Sequence, residues 1–515
     1  MQQGTTRRAF LAGGAGAGLA GLLAGCTAPA PAPAPAVPTP TATPVAASST
    51  SAAAAGPRTW SELADATRGA LLRPGSAGWD AARVLRNPRY DGAYPRAILR
   101  VTGPDDVAQG LAFARRSRTP VALRSGGHSY TGWSAGGAPG SDVPRSLVIS
   151  TAALDGVELA ADGGSVTVGP GAHLLDVYDR LAAAGRAIGA GSCATVGIGG
   201  LTLGGGVGVL SRSFGLTCDQ LTGATVVTAD GRAHDVSAER EPDLFWACRG
   251  GGGGTLGVVT SLTFRTRPAP DVVMFFLAFP WSAAARVVDA WQRWAPAADP
   301  RLWSTLKLLG GTRHPSGPAV TLSGTWTGPQ RGADASVDGF VRATGTTPLT
   351  HTARATEYGD AMRRYAGDGA RVSQSATSSI GSRRLAPAEI RALVGAIERI
   401  ADTSGMTEGG VSLDALGGAV ADLRPGDTAF PWRNALWTAQ YTAAFADGAD
   451  PAPYDAAVRR LRSTMRPAWG DAAYANYCDA AITDPAAYFG ANTPRLRGIA
   501  RAADPQGLFA QPHWI

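Results

Sequence analysis

Residues 189–208 read GAGSCATVGIGGLTLGGGVG, nine glycines in twenty positions. A run this poor in side chains cannot hold itself together by side-chain packing. It makes sense as backbone laid against a flat or phosphorylated ligand, since glycine lets the main chain approach closely and aim several amides at one anion. Cys193 is embedded in it. Upstream, residues 124–130 read RSGGHSY, directly after the apolar Val121, Ala122 and Leu123, which predict a strand. His128 stands at the tip of that loop, where a neutral imidazole, with a reference pKa of about 6.5, is a competent nucleophile or base. Downstream, residues 249–257 read RGGGGGTLG, in which Gly252, Gly254 and Gly257 satisfy GxGxxG. A dinucleotide fingerprint needs a strand before it and a helix after it. Here the apolar spacing predicts a helix over 242–248 and then a strand over 257–264, so the fingerprint is rejected.

Around these three loops, strands and helices alternate loosely to about residue 267. Pro104, Asp105 and Asp106 suit the first turn of a helix, whose apolar stripe is Val107, Leu111 and Ala114. Leu174, Val177, Tyr178 and Leu181 share one helical face, and Gly185 closes it. Pro268, Ala269 and Pro270 mark a change, after which glycine clusters thin out and tryptophans concentrate, predicting a second domain. The chain has 515 residues, 44% apolar and 17% charged, enough for sizeable cores and too apolar for wholesale disorder.

Net charge is +7, carried by arginines and a single lysine, Lys307, which lies between Leu306 and Leu308. No Walker A motif can therefore exist. The arginines are scattered, with few aromatics among them, which argues against a nucleic-acid groove. The five cysteines, Cys26, Cys193, Cys218, Cys248 and Cys478, form no CxxC pair, and the six histidines form no HExxH, so no metal site is expected. Cys218 and Cys248 read as inert buried thiols. Gly132, Trp133, Ser134, Ala135 and Gly136 make a formal GxSxG, but a loop follows where a nucleophile elbow requires a helix.

Residues 1–26 contain no acidic residue. Arg7 and Arg8 open a twin-arginine signal in form, and a short apolar stretch ends at Leu23, Ala24, Gly25 and Cys26. That ending resembles a lipobox, with Cys26 the residue to be lipidated; an ordinary signal peptide with a chance cysteine is the alternative. Residues 27–58 are rich in Pro, Ala, Ser and Thr and read as an extended tether. No later apolar run reaches membrane-spanning length, the best being 272–279.

Taken in order, RSGGHSY, the 189–208 run, DLFWACRGGGGGTLGVVTSLTF (243–264), YANY (474–477) and DPQGLFAQPHWI (504–515) resemble the berberine-bridge-enzyme-like flavin oxidases of the vanillyl-alcohol-oxidase fold family. The resemblance covers residues 85–515. It implies an α+β fold: a PCMH-type FAD-binding domain of two α/β subdomains over 59–267, and a substrate domain over 268–467 with an antiparallel sheet covered by helices. A C-terminal segment, 468–515, would return to the FAD domain.

The resemblance also implies roles. Arg124, Ser125, Gly126, Gly127, His128 and Ser129 would hold the pyrophosphate. FAD would be attached covalently twice, through His128 and Cys193. Gly197, Gly199, Gly200, Gly204, Gly205 and Gly206 would line the cofactor, with Val258 and Val259 near the adenine. Val196 matches a small residue associated with oxygen access, whereas Leu201 and the pair Thr255 and Leu256 depart from the usual pattern. Tyr477 would take the substrate's hydroxyl proton, with Tyr474 and Asn476 positioning substrate and flavin edge. Asp414 would polarise the tyrosine, and Asp427 lies near where some relatives place an acidic base. The reaction would be hydride removal from an alcohol or sugar carbon of a small-molecule substrate, with oxygen as acceptor and hydrogen peroxide as product. Two other classes stay open: a serine hydrolase using Ser134, and a flavin-free, lipid-tethered binding protein.

Overall fold

The computed structural model describes residues 56–367 and 369–509. The signal, Cys26, nearly all of the tether and the final residues 510–515 lie outside the described residues. The described residues form one compact unit.

The Val121 strand anchors the first sheet. Strands Ala70–Leu72, Ala97–Arg100, Leu147–Ser150 and Val121–Arg124 lie side by side in that order, the last three parallel. The helix Pro104–Ser117 crosses between two of them. Its start is fixed by Asp106: burial opposes the charge, but backbone amides of Thr102, Arg68 and Gly69 more than compensate and hold its carboxyl below the usual range. Parallel strands end on one edge, and Arg124 and the RSGGHSY loop leave from it, where open sheets of this kind bind ligands.

A second sheet is antiparallel throughout, in the order Val157–Leu159, Ser165–Val168, Val258–Arg265, Leu221–Val227 and Ala233–Ser237. The helix Leu174–Ala182 packs Leu174, Val177, Tyr178 and Leu181 inward, as the spacing requires. Its aliphatic members contribute about 1.5–3 kcal/mol each on full burial. Tyr178 also donates its hydroxyl to the Gly191 carbonyl at 2.5 Å, tying this helix to the glycine-rich run. The helix Pro242–Cys248 precedes the GxGxxG loop and the strand Val258–Arg265 follows it, the reverse of a dinucleotide fold.

The third large sheet has seven antiparallel strands: Thr350–Thr356, Val272–Phe279, Ala319–Thr327, Leu302–Gly310, Met406–Ala415, Trp437–Phe445 and Ser373–Gly381. Alternation assigns its faces. Leu302, Leu306, Leu308, Val411, Leu413, Ala439 and Tyr441 are buried in a core shared with the helices Ala284–Trp294, Pro387–Ala401 and Ala452–Trp469. Trp303, Thr305, Lys307, Ser412, Asp414 and Gln440, at the intervening positions, line a cavity on the opposite face. The apolar run at 272–279 is thus a strand, and no described helix is long and apolar enough to cross a membrane.

Arg212 and the C-terminal segment join these parts. The fully buried Arg212 guanidinium donates to the carbonyls of Leu302 (2.7 Å) and Ala298 (2.6 Å) and to that of Leu416. Burial lowers its pKa to about 10, and the Asp299 charge offsets this only in part. At the C-terminus, Arg495 of helix Thr493–Ala503 pairs with Asp243 at 2.6 Å, and the Val121 amide donates to the Leu508 carbonyl at 3.2 Å.

Candidate active site

The cavity facing the seven-stranded sheet has a volume of about 480 Å³. Its other walls come from the loops at 124–130, 191–209 and 253–259 and from residues 475–478. Arg124, Ser125, Gly126, Gly127, His128, Ser129, Cys193, Val196, Gly197, Gly199, Gly200, Val258, Val259, Asn476, Tyr477 and Asp414 are all brought to it.

The two glycine loops need each other. A Cβ on Gly126 would stand 2.2 Å from the Gly197 amide nitrogen, and one on Gly197 would stand 2.3 Å from that of Gly126. Side chains are excluded there because two backbones cross, not because a ligand must fit. This corrects the simplest reading of the 189–208 run, which moreover contains a short helix, Ile198–Leu203. Gly204, Gly205 and Gly206 do not line the cavity. They back onto protein: a Cβ on Gly204 would lie 2.0 Å from Asn476 Oδ1, and one on Gly206 would lie 2.2 Å from Thr217 Oγ1. Gly200, by contrast, has open space where a Cβ would point.

The attachment candidates differ in character. His128 Nε2 lies 2.9 Å from Thr195 Oγ1. Burial, with the nearby Arg86 and His173 charges, lowers its pKa to about 4, so its imidazole is neutral and nucleophilic at physiological pH. Cys193 is exposed to the cavity, yet it sits deep enough that burial raises its thiol pKa; Arg86 and Lys307 work in the other direction. Cys218, Cys248 and Cys478 are buried.

Arg124 donates through Nε to the Ser134 carbonyl at 2.9 Å and through Nη1 to the Ala82 carbonyl, while Nη2 has no partner among the described residues. Burial lowers its pKa to about 10. A buried guanidinium with an unspent donor on a cavity wall calls for an anion, and with the glycine loops the donor set fits a dinucleotide pyrophosphate.

On the opposite side stand the acid–base groups. Asp414 is buried, and burial raises its pKa; Thr438, with its hydroxyl 3.5 Å from Oδ2, the Lys307 charge and Tyr477 partly offset this. Tyr477 is pushed well above 10, first by burial and then by the Asp414, Tyr130 and Tyr474 charges. The resting residue is therefore a phenol and not a phenolate. Tyr130 packs edge-on to Tyr477 at 6.0 Å and accepts from Gln440 Nε2 at 2.6 Å.

Tyr474 is placed differently. Its hydroxyl accepts from the Gly206 and Val207 amides at 2.8 and 3.1 Å and from Asn476 Nδ2 at 3.0 Å. It does not line the cavity; it locks Asn476, whose Nδ2 also donates to the Leu201 carbonyl at 2.9 Å. Asp427 is a half-buried turn carboxylate paired with Arg424, and it does not line the cavity. Ser134 lies in the 3-10 turn Trp133–Ala135, between left-handed Gly132 and Gly136 and with no helix after it, so no nucleophile elbow is formed.

Sequence reading missed Trp303, Thr305, Lys307, Ser412 and Gln440 as cavity residues. The signal on their first strand was the period of two: Thr305 and Lys307 alternate with the fully buried Leu306 and Leu308.

The chain is similar to known proteins over most of its length. The family described as FAD binding domain matches residues 95–237, and the one described as berberine and berberine like matches residues 473–515. A FAD-linked oxidoreductase of Bacillus subtilis is 31% identical over 422 residues, covering 81% of this chain and 90% of its own. Among solved structures, a chitooligosaccharide oxidase superposes with a TM-score of 0.79 at 26% identity, covering 88% of this chain and 97% of its own. A glucooligosaccharide oxidase from Acremonium strictum, described as carrying a 6-S-cysteinyl, 8α-N1-histidyl FAD, superposes with a TM-score of 0.77 at 24% identity, covering 87% of this chain and 97% of its own.

Proposed function

The chain belongs to the berberine-bridge-enzyme-like, FAD-linked oxidases, and from that premise we propose that it oxidises a carbinol carbon of a sugar and uses oxygen as acceptor. The observation that carries the reading is the meeting, across one cavity, of His128 and Cys193 with Tyr477 and Asp414. FAD, when bound, accepts a hydride from such a carbon and passes the electrons to oxygen, giving hydrogen peroxide. We propose that His128 and Cys193 both hold it covalently, that Arg124 and the 125–129 backbone receive its pyrophosphate, and that Val258 and Val259 flank its adenine. We read 59–267 with 468–515 as the cofactor-binding part and 268–467 as the substrate-binding part.

The chain's own work is proton management. Tyr477 takes the substrate hydroxyl proton at its phenolic oxygen while releasing its own proton to the Asp414 carboxylate. A phenol that keeps its proton at rest can act as a base only through such a partner. Asn476, held by Leu201 and Tyr474, orients the substrate against the reacting face. The polar face of the seven-stranded sheet, with Thr305, Ser412 and Gln440, suits a polyhydroxylated substrate.

We also propose export by the twin-arginine route, with a lipid on Cys26; Arg7, Arg8 and the 23–26 ending support it. Intact mass of the mature N-terminus tests it, and a chain starting beyond Cys26 would refute the lipid.

The central test is the absorption spectrum of protein precipitated in acid and washed. Flavin should remain in the pellet and leave only when both His128 and Cys193 are replaced, and peroxide release should report a sugar substrate. A colourless soluble protein would overturn the reading.

A further inference from the structure

Lys307 is the only lysine of the chain, and it stands in the wall of the cavity. Its side of the sheet is fixed by Leu306 and Leu308, both fully buried on the other face. It pairs in register with Ser412 on one neighbouring strand and Thr321 on the other. Thr305, two residues back along the strand, pairs with Asp414. Two strand residues span about 7 Å, comparable with the width of one pyranose ring. Lys307 is exposed, and no carboxylate lies within ion-pair distance of it among the described residues. The cavity therefore has a reacting end at Asp414 and Tyr477 and a positive end one ring further on.

We propose that Lys307 is a specificity-determining residue that receives a carboxylate on the substrate, one ring away from the oxidised carbon, so that the preferred substrate is an acidic oligosaccharide. This rests on the alcohol-oxidising reading above. The local chemistry favours a carboxylate over a phosphate. Lys307 offers one compact ammonium with the Ser412 and Ser323 hydroxyls nearby in the same wall, and among the described residues the strands of that wall bring no guanidinium to the cavity. Its charge also reaches inward, since it contributes to holding down the pKa of Asp414 and of Cys193.

The test compares cellobiose with cellobiouronic acid, which differ only by a carboxylate on the ring next to the reducing one. Flavin-loaded wild type, Lys307→Gln and Lys307→Arg are assayed by peroxide release for kcat/KM and by calorimetry, without oxygen, for binding. Wild type should prefer the acid by about two- to fivefold, the yield of one exposed ion pair. The preference, read as the ratio of kcat/KM for the acid to that for cellobiose so that any effect of the lost charge on Asp414 cancels, should shrink with added salt, vanish in Lys307→Gln and persist in Lys307→Arg. Equal handling of the two sugars by wild type, or an equal loss of both in Lys307→Gln, would overturn the proposal. If neither sugar is oxidised but the acid binds wild type and not Lys307→Gln, the anion site stands and the alcohol-oxidising reading fails. If neither sugar binds, the anion site fails as well.

Discussion

Changing Asp414 to Asn keeps the shape of a buried side chain and removes its ability to accept a proton. The carboxylate is only 9% exposed, so no bulk water stands ready to replace it. Tyr477, raised well above 10, cannot supply a phenolate of its own. The proton leaving the substrate hydroxyl then has nowhere to go. A positioned base contributes about 10²–10⁴-fold, so the rate of flavin reduction should fall at least a hundredfold, about 2.7 kcal/mol of lost transition-state stabilisation. KM should change little, since the amide oxygen still accepts a hydrogen bond. The assay is anaerobic stopped-flow absorbance at the flavin band after mixing with an oxidisable sugar. The pH profile gives a second reading. Activity needs charged Asp414, so it is present above that group's pKa and lost as pH falls through it. Because burial raises the pKa, the acid limb should lie above the usual carboxylate value of about 3.9, and the Asn variant should lack the limb. Reduction within threefold of wild type, with the flavin still attached, would remove Asp414 from the proton path.

Other parts of the site make their own demands. In Gly204→Ala, the new methyl would overlap Asn476 Oδ1, so kcat/KM should fall at least tenfold while pelleted flavin stays at the wild-type level. Loading the apoprotein with FAD should proceed at constant rate above about pH 5 and slow below about pH 4, because His128 loses its neutral form only there; a rate that fell already at pH 6–7 would contradict the lowered pKa. Removing Arg433, buried and paired with Asp219 at 2.7 Å, strands a carboxylate that is almost as buried, and Arg433→Met should cost about 3–5 kcal/mol in denaturant unfolding. A loss under 1 kcal/mol would mean water reaches Asp219.

The local elements were readable because their signals are local. Asp106 at a helix start and Leu174, Val177, Tyr178 and Leu181 at helical spacing each decide a fold element within one turn or two. The glycine loops were readable because glycine is a backbone statement: Gly126 and Gly197 mark a place where nothing else fits. Why nothing else fits was not readable, since the crossing of those two chains joins positions about seventy residues apart. The same holds for Gly204, whose neighbour Asn476 comes from the far end of the sequence. The substrate wall was least legible. Thr305, Lys307, Ser412, Asp414 and Gln440 come from three strands, and each alone looks like an ordinary polar residue. Only the strand register places them on one face. Tyr474 shows a further limit: a tyrosine that donates to chemistry and one whose oxygen is capped by two backbone amides look alike in sequence.

The C-terminal segment has a bearing on how the molecule is made. Synthesis delivers residues 124–130 early and residues 474–477 near its end, and the Val121 amide waits longer still, for the Leu508 carbonyl. The cavity can therefore close only after residues 474–477 and 508 have left the ribosome. A nonsense mutation shortly before Tyr474 would leave the glycine loops present but deprive the site of its Tyr477 phenol and its final strand contact. Such a product could still reach the cofactor with His128, yet it could not oxidise anything. Cofactor loading thus belongs after termination, when the whole chain is available to fold around the ligand.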